Sequence, residues 1–478
     1  MAKQQEETCD IGVIGMAVMG QNLALNMESK GFTVAVYNRT VARTQEFIKQ
    51  RGQGKKVFGA ESLEDFVRAL KRPRRAMLMV QAGAPVDAVI DSLLPLFDRG
   101  DLIIDGGNSF YEDTDRRAER LEAAECGYLG SGVSGGEYGA LHGPSIMPGG
   151  TREAYQAVEP IFTKIAAQVE AGPCCAYLGP ASAGHYVKMV HNGIEYGIMQ
   201  LLAETYDIMS RGLGMTVPEI QKVIDGWNKG ELSSFLLEIT ADILTRKDPD
   251  SGKYIVEIIV DWAAQKGTGK WTAQSALDYG IPLPTIAAAT DARIVSAYKD
   301  LRVKLSKAIG GPDAKFEGGR QELVAAMQDA LYLAIVSAYA QGMHLLAAAS
   351  EERHYNLDLS TVARIWKGGC IIRSVLLEPI RQAFAADPTL PNLLGVEPFR
   401  SEVNKRAGSL RRIVSQAALH GIPIPALAAS LSYVDGLRTG RLPANLVQAQ
   451  RDFFGAHTYQ RVDKEGTFHT EWQDIHNI

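Results

Sequence analysis

The sequence predicts an α/β N-terminal domain, followed by a large all-α domain and a C-terminal tail. Three observations predict it. Short β-branched runs alternate with helical stretches over the first third of the 478 residues, long amphipathic helical patterns take over from about residue 183, and after about Pro443 no further core-forming pattern follows. The boundaries that these shifts suggest are 1–182, 183–442 and 443–478.

In the first segment, Asp10–Ile14, Thr33–Tyr37, Ala76–Val80 and Leu102–Asp105 read as buried strands, with Gly or Asn near their C-terminal ends. Asn22–Lys30 and Ala42–Gln50 carry helical periodicity between them, which argues for a parallel sheet covered on both faces. Glycine density rises from Gly127 to Gly150, and a strand signal recurs at Tyr177-Leu178-Gly179. Within the helical segment, Trp227-Asn-Lys-Gly230 and Ser234-Phe-Leu-Leu-Glu238 resemble Trp366-Lys-Gly-Gly369 and Ser374-Val-Leu-Leu-Glu378, the mark of a worn duplication. The tail is too short to build its own core.

Composition narrows the function classes. Apolar residues at 46% and charged residues at 22% are ordinary for a globular chain, and the net charge of −5 disfavours a nucleic-acid or membrane-surface role. Five cysteines (Cys9, Cys126, Cys174, Cys175, Cys370) lack metal-ligand spacing and suit a reducing compartment. The polar start has no signal-peptide core, and no uninterrupted apolar run approaches the roughly 20 residues of a membrane span. A cytoplasmic protein is expected.

Gly15-Met16-Ala17-Val18-Met19-Gly20 follows the first strand and opens a helix. The first glycine permits a tight bend, and a small second residue lets backbone N–H groups approach a pyrophosphate at the helix start, the Rossmann-type arrangement. Alanine at that second position leaves slightly less room than glycine. At the end of the second strand an NAD enzyme carries an acid for the ribose hydroxyls, where this chain has Asn38-Arg39-Thr40. A carboxylate there would repel a 2′-phosphate, whereas a guanidinium pairs with it. The expected cofactor is NADP.

The segment Gly184–Tyr196 places Lys188, His191, Asn192, Glu195 and Tyr196 on one helical face, opposite an apolar stripe of Val187, Val190, Ile194, Ile198 and Leu201. Spacing alone leaves two readings open: a solvent-facing polar side, or a convergent site. The chemistry of alcohol oxidation asks for a base, and protonation of an enediol asks for an acid. Lysine can serve as base only if its pKa falls from about 10.4 toward 7, at a cost of about 4 kcal/mol that burial would supply. Further on, Ser134-Gly135-Gly136 offers loop N–H groups to a carboxylate, and Lys266-Gly-Thr-Gly-Lys270 joins two cations to a glycine turn suited to phosphate. Arg451 and His457 lie in the orphan tail.

Together these stretches resemble the 6-phosphogluconate dehydrogenase family essentially end to end. The most specific are Asp105-Gly-Gly-Asn108-Ser109, Gly132-Val-Ser134-Gly135-Gly136-Glu137, Lys188–Tyr196, Gln265-Lys266-Gly-Thr-Gly-Lys-Trp271 and Arg451–Tyr459. The resemblance implies oxidative decarboxylation of 6-phospho-D-gluconate, with Lys188 as general base at C3 and Glu195 as the acid that protonates C1 after carbon dioxide leaves. It gives Asn108, Ser134, Gly135, Gly136, His191 and Asn192 to the sugar acid, and Tyr196, Lys266 and Arg293 to its phosphate end. Arg451 and His457 would reach the phosphate in a partner subunit's site, which implies an obligate homodimer with exchanged tails. No metal is implied. Val80-Gln81-Ala82, with Asn108, would border the cofactor. Gln81 departs from the lysine common there, and Lys367 from a common arginine. The shorter 3-hydroxyisobutyrate-type dehydrogenases, the nearest alternative, lack the Lys266 cluster and the Arg451 tail. A non-catalytic NADP sensor would have lost Lys188 or Glu195.

Overall fold

The structure, a computed structural model, describes residues 9–472, in two compact units that meet in sequence at Ser430 and Leu431. The first unit is built on a seven-stranded sheet of order β3-β2-β1-β4-β5-β6-β7. Its strands are β1 (Ile11–Ile14), β2 (Val34–Tyr37), β3 (Val57–Gly59), β4 (Arg75–Leu78), β5 (Leu102–Asp105), β6 (Gly127–Ser134) and β7 (Ser145–Gly150). β1 to β6 run parallel and β7 antiparallel to β6. The strand order reverses between β1 and β4, which opens the crevice where such sheets take ligands. Apolar side chains fill both faces: Val13, Val36 and Ile104 pack on one side, Ile14, Leu78 and Ile103 on the other.

The four expected strands are present, Leu102–Asp105 with the expected bounds and the others with ends shifted by at most two residues. Tyr177–Gly179 is not a strand. It runs beside β7 through two backbone bonds, Leu178 N to Pro148 O and Gly150 N to Gly179 O, both 3.0 Å, and the Tyr177 hydroxyl donates to Gly150 O at 2.8 Å. β6 and β7 hid in the glycine-rich stretch, which carries too few apolar side chains to show a pattern. The reason is steric. The helix Ala183–Asp207 lies directly on these strands, and a Cβ at Gly132 would sit 2.3 Å from the Cβ of Lys188. The strand gives up its side chain so that the lysine can be buried against it.

The helical part realises the duplication. Ser234 and Ser374, the matched residues, form an antiparallel bridge, with Phe235 N donating to Arg373 O and Val375 N to Ser233 O. Each half has a long helix (Ala183–Asp207, Arg320–Glu352), a helix leading to the tryptophan (Val217–Trp227, Leu359–Ile365), one after the paired serine (Phe235–Ile243, Leu377–Ala386), and one opened by proline (Pro284–Ala297, Pro425–Arg438). The turns Gly280-Ile-Pro-Leu-Pro284 and Gly421-Ile-Pro-Ile-Pro425 lengthen the repeat. The halves cap each other: Gln341 accepts from Thr285 N (3.0 Å), and Glu204 from Ala426 N (2.8 Å) and Leu427 N (2.9 Å). Arg320–Glu352 is long and apolar enough to cross a bilayer, but 78% of its most apolar window is buried within the protein, so it is the core helix of this half.

In the second unit, the helix Ala444–Gly455 buries only Asp452. That carboxylate receives Thr458 N (2.9 Å), Thr470 N (3.0 Å), Trp472 Nε1 (2.8 Å) and His469 Nδ1 (2.8 Å), and these bonds hold its pKa well below the usual carboxylate range. A polar hub organises this unit, as the expected lack of an apolar core requires. All five cysteines are buried, and none is in a disulfide.

Candidate active site

Most of the Ala183–Asp207 helix is buried on every side, polar face included. This decides between the two readings of that face: it is turned into the protein. Lys188, 5% exposed, donates from Nζ to Asn192 Oδ1 at 2.7 Å and lies 3.4 Å from His191 Nδ1. Burial depresses the lysine pKa against the opposing pull of Glu195. His191 is fully buried, and burial and the neighbouring lysine hold it neutral, far below 6.5. Asn192 Oδ1 only accepts, so the 3.0 Å contact from His191 Nδ1 places the imidazole proton on that nitrogen. His191 Nε2 then accepts from Ser134 Oγ at 3.3 Å. Glu195, one turn on, has Oε2 3.8 Å from His191 Nδ1 and keeps a partly exposed side chain. Burial raises its pKa, with Lys188 and Arg293 pulling the other way.

The lysine is pushed toward the free amine and the glutamate toward the acid, as a base and an acid on one helix face require. Ser134 ends β6, Gly135 takes a left-handed conformation, and Gly136 opens the short helix to His142, so the three form a strand-to-helix turn beside His191. One turn beyond Asn192, the Tyr196 ring lies under the Arg293 guanidinium at 3.5 Å. A Cβ on Gly269 would fall 2.5 Å from that ring, so the Gly267–Lys270 turn rests against it, with Lys266 exposed at its entrance. Arg293 also donates to Ala264 O at 3.2 Å.

At the C-terminal ends of β1 and β2, Gly15 has φ +105, and a Cβ there would meet Met79 O at 2.4 Å. Met16 N donates to Asn38 Oδ1 at 3.0 Å, which fixes the turn to the end of β2. The helix Val18–Ser29 starts at Ala17 without a side-chain cap or a first-turn acid, and Ala17 and Val18 are exposed. Its free N–H groups and positive end suit a pyrophosphate. Met19 and Gly20 continue that first turn. Arg39 and Thr40 stand exposed just past β2, as a 2′-phosphate contact needs. Val80, Gln81 and Ala82 follow β4 and Asn108 follows β5, with Gln81 and Asn108 exposed. These residues fit NADP.

In the second unit, Arg451 and His457 are both exposed, and Arg451 bonds Gln448 Oε1 at 3.0 Å. The sequence showed Trp366–Gly369 as a repeat element but gave the Trp366–Cys370 loop no place in the site. Trp366 is fully buried and meets the His191 ring edge-on at 5.6 Å, and Gly369 O stands 2.6 Å from where a Gly135 Cβ would lie. Beyond the repeat, its signal was two successive glycines in a helical region.

Two family models match the chain. The NAD binding domain of 6-phosphogluconate dehydrogenase covers residues 10–179, and the C-terminal domain of the same enzyme covers 184–472. The chain belongs to the 6-phosphogluconate dehydrogenase family. The decarboxylating 6-phosphogluconate dehydrogenase of Synechococcus elongatus is 55% identical over 475 residues, covering 99% of this chain and all of the relative. The NADP(+)-dependent, decarboxylating enzyme of Bacillus subtilis is 52% identical over 473 residues, with coverage of 99% and 100%. Among solved structures, the Plasmodium falciparum 6-phosphogluconate dehydrogenase superposes with a TM-score of 0.94 at 46% identity, covering 97% of this chain and 100% of that one. That structure was described with its cofactor NADP+ and with 6-phosphogluconate. The second model runs on through the Lys266 cluster and the tail to residue 472, the two features that the shorter 3-hydroxyisobutyrate type was expected to lack.

Proposed function

We propose that Lys188 and Glu195 perform the oxidative decarboxylation of 6-phospho-D-gluconate to D-ribulose 5-phosphate and carbon dioxide. The chain is an oxidoreductase that uses NADP. The observation that carries the assignment is the opposed pair on one buried helix face: an amine shifted toward neutrality and a carboxyl shifted toward protonation.

The Gly15–Gly20 turn would hold NADP, which when bound would supply the acceptor for the hydride of C3 of the sugar acid. Lys188 accepts the C3 hydroxyl proton as that hydride leaves. The resulting ammonium then faces the C3 carbonyl oxygen, where it draws in the electron pair freed when the C1 carboxylate departs as carbon dioxide. Asn192 and His191 hold the lysine head in place through its 2.7 and 3.4 Å contacts. Glu195 gives its proton to the carbon that becomes C1 of the product, and the enediol collapses to the ketose. Asn108, Ser134, Gly135, Gly136, His191 and Asn192 take the hydroxyl and carboxylate end, and Tyr196, Lys266 and Arg293 take the phosphate.

The chain works as a cytoplasmic homodimer in which Arg451 and His457 serve the partner's phosphate site. Support comes from the first unit's surface. The helix Lys299–Ala308 buries no side chain, and Leu301, Val303 and Leu305 on it are exposed beside a run that includes Ile259, Val260 and Trp262. A helix that buries nothing within its own chain wants a partner surface. The test is an assay of the purified protein with NADP and either 6-phosphogluconate or 3-hydroxyisobutyrate. NADPH and carbon dioxide should form in equal amounts from the first and not from the second. Oxidation without carbon dioxide release, or preference for the second substrate, would overturn the reading.

A further inference from the structure

Behind the exposed Asn108 loop lies a buried polar network that joins the two ligand-facing loops to the Lys188 helix. Asp105, at the end of β5, is fully buried. Its carboxylate accepts from Ser109 Oγ (2.6 Å), Gly107 N (3.1 Å) and Tyr128 OH (3.1 Å), and so braces the Gly106–Ser109 turn on both sides of Asn108. Arg117, on the helix Tyr111–Ala123 and 1% exposed, stands 3.5 Å from the same carboxylate and donates to Ser109 Oγ at 3.2 Å.

The far side of that guanidinium grips the other loop. Arg117 donates to Gly83 O at 3.0 Å and, as a two-pronged fork, to both carboxylate oxygens of Asp87 at 2.9 Å. Gly83 immediately follows Val80-Gln81-Ala82 and begins the helix Ala84–Leu93. The network also reaches the catalytic helix: His185, three residues before Lys188, donates from Nε2 to Asp105 O at 3.1 Å. A single planar cation therefore fixes the spacing of the loops after β4 and β5, and their common anchor touches the helix that carries the base. Only arginine has enough donors in a fixed plane to serve all four acceptors at once.

From this geometry we infer that Arg117 is a positioning residue: through Ser109 and Asp105 it sets the place of Asn108 between cofactor and substrate. It is buried behind both loops and acts on Asn108 by way of the turn. The inference rests on the reading of Asn108 as a ligand contact made under the proposed function.

A double-mutant cycle tests it, with Arg117→Lys, Asn108→Ala and the pair together. Lysine keeps a cation beside buried Asp105 and loses the fork. Arg117→Lys should lower kcat/KM for 6-phosphogluconate about tenfold, mainly through KM, and weaken NADP binding in the same variant. In the Asn108→Ala background the same change should cost less than about twofold, because residues acting as one unit are not additive. The shift in Tm from Arg117→Lys should be equal in both backgrounds, which separates positioning from folding. A full tenfold loss on top of Asn108→Ala, or wild-type kinetics in Arg117→Lys, would overturn the inference. If Asn108→Ala alone leaves KM for both ligands unchanged, the ligand reading of Asn108 falls and this inference with it. Additive losses from two impaired single variants would sink the positioning role alone. Should Arg117→Lys not fold, Ser109→Ala, which cuts the link between guanidinium and turn, goes through the same cycle with the same criteria.

Discussion

At the residue scale, burial sets the protonation of the two groups proposed to do the chemistry. Lys188 and Glu195 differ by seven positions on one helix, and burial drives each toward its uncharged form. The residue types and spacing were legible in the sequence. The burial of the polar face was not, because the strand it lies against shows itself only as a run of glycines. The proposed basis of cofactor choice is also a single residue. Arg39 stands where an acid would exclude a 2′-phosphate, so Arg39→Asp should weaken NADP binding by about tenfold or more and leave NAD nearly unaffected. Titration of both dinucleotides by protein fluorescence checks this, and equal losses would remove the guanidinium from the 2′-phosphate. Trp366 and Gly369 were missed for a different reason. They reach His191 and Gly135 from a loop some 170 to 240 residues further along the chain, contacts that no local pattern encodes.

At the element scale, the long helices do two jobs: they carry the site and they cap each other's halves. Periodicity located Ala183–Asp207, and the repeat was visible in Trp227 and Trp366, yet the exchange of caps is a tertiary contact. Glu204 is the sharpest case. Burial raises its pKa from 4.5 to about 7, despite the two N–H groups it receives from Ala426 and Leu427. The folded state thus holds this proton more tightly than the unfolded chain. The stabilisation is complete below about pH 4.5 and is lost as pH rises toward 7. Glu204→Gln cannot ionise and loses one of the two acceptor oxygens, so it should lower Tm most at pH 5. The gap to wild type should narrow by about 2 °C or more by pH 7.5. A gap that stays constant across calorimetric scans would mean that Glu204 is already ionised at pH 5.

At the scale of the whole molecule, the parallel sheet, the all-α segment and the coreless tail followed from changes in sequence pattern. β3, β6 and β7 did not, since short or glycine-rich strands carry little periodicity. The proposed homodimer would cover the exposed faces of Lys299–Ala308 and Ala444–Gly455. Truncation after residue 445 should raise KM for 6-phosphogluconate by about tenfold or more, as expected for loss of two phosphate contacts, or convert the dimer to monomer. Sedimentation beside steady-state kinetics tests both, and a truncated dimer with unchanged KM would exclude tail exchange.

An uncharged Lys188 amine is the proposed base, and Lys188→Met puts it to the test. A neutral side chain of similar length should keep the helix buried and NADP affinity within about twofold, while turnover of 6-phosphogluconate falls by about a thousandfold or more. Pre-steady-state NADPH formation at saturating substrate reads the oxidation step itself. A burst in Lys188→Met at a rate close to wild type would show that another group takes the C3 hydroxyl proton.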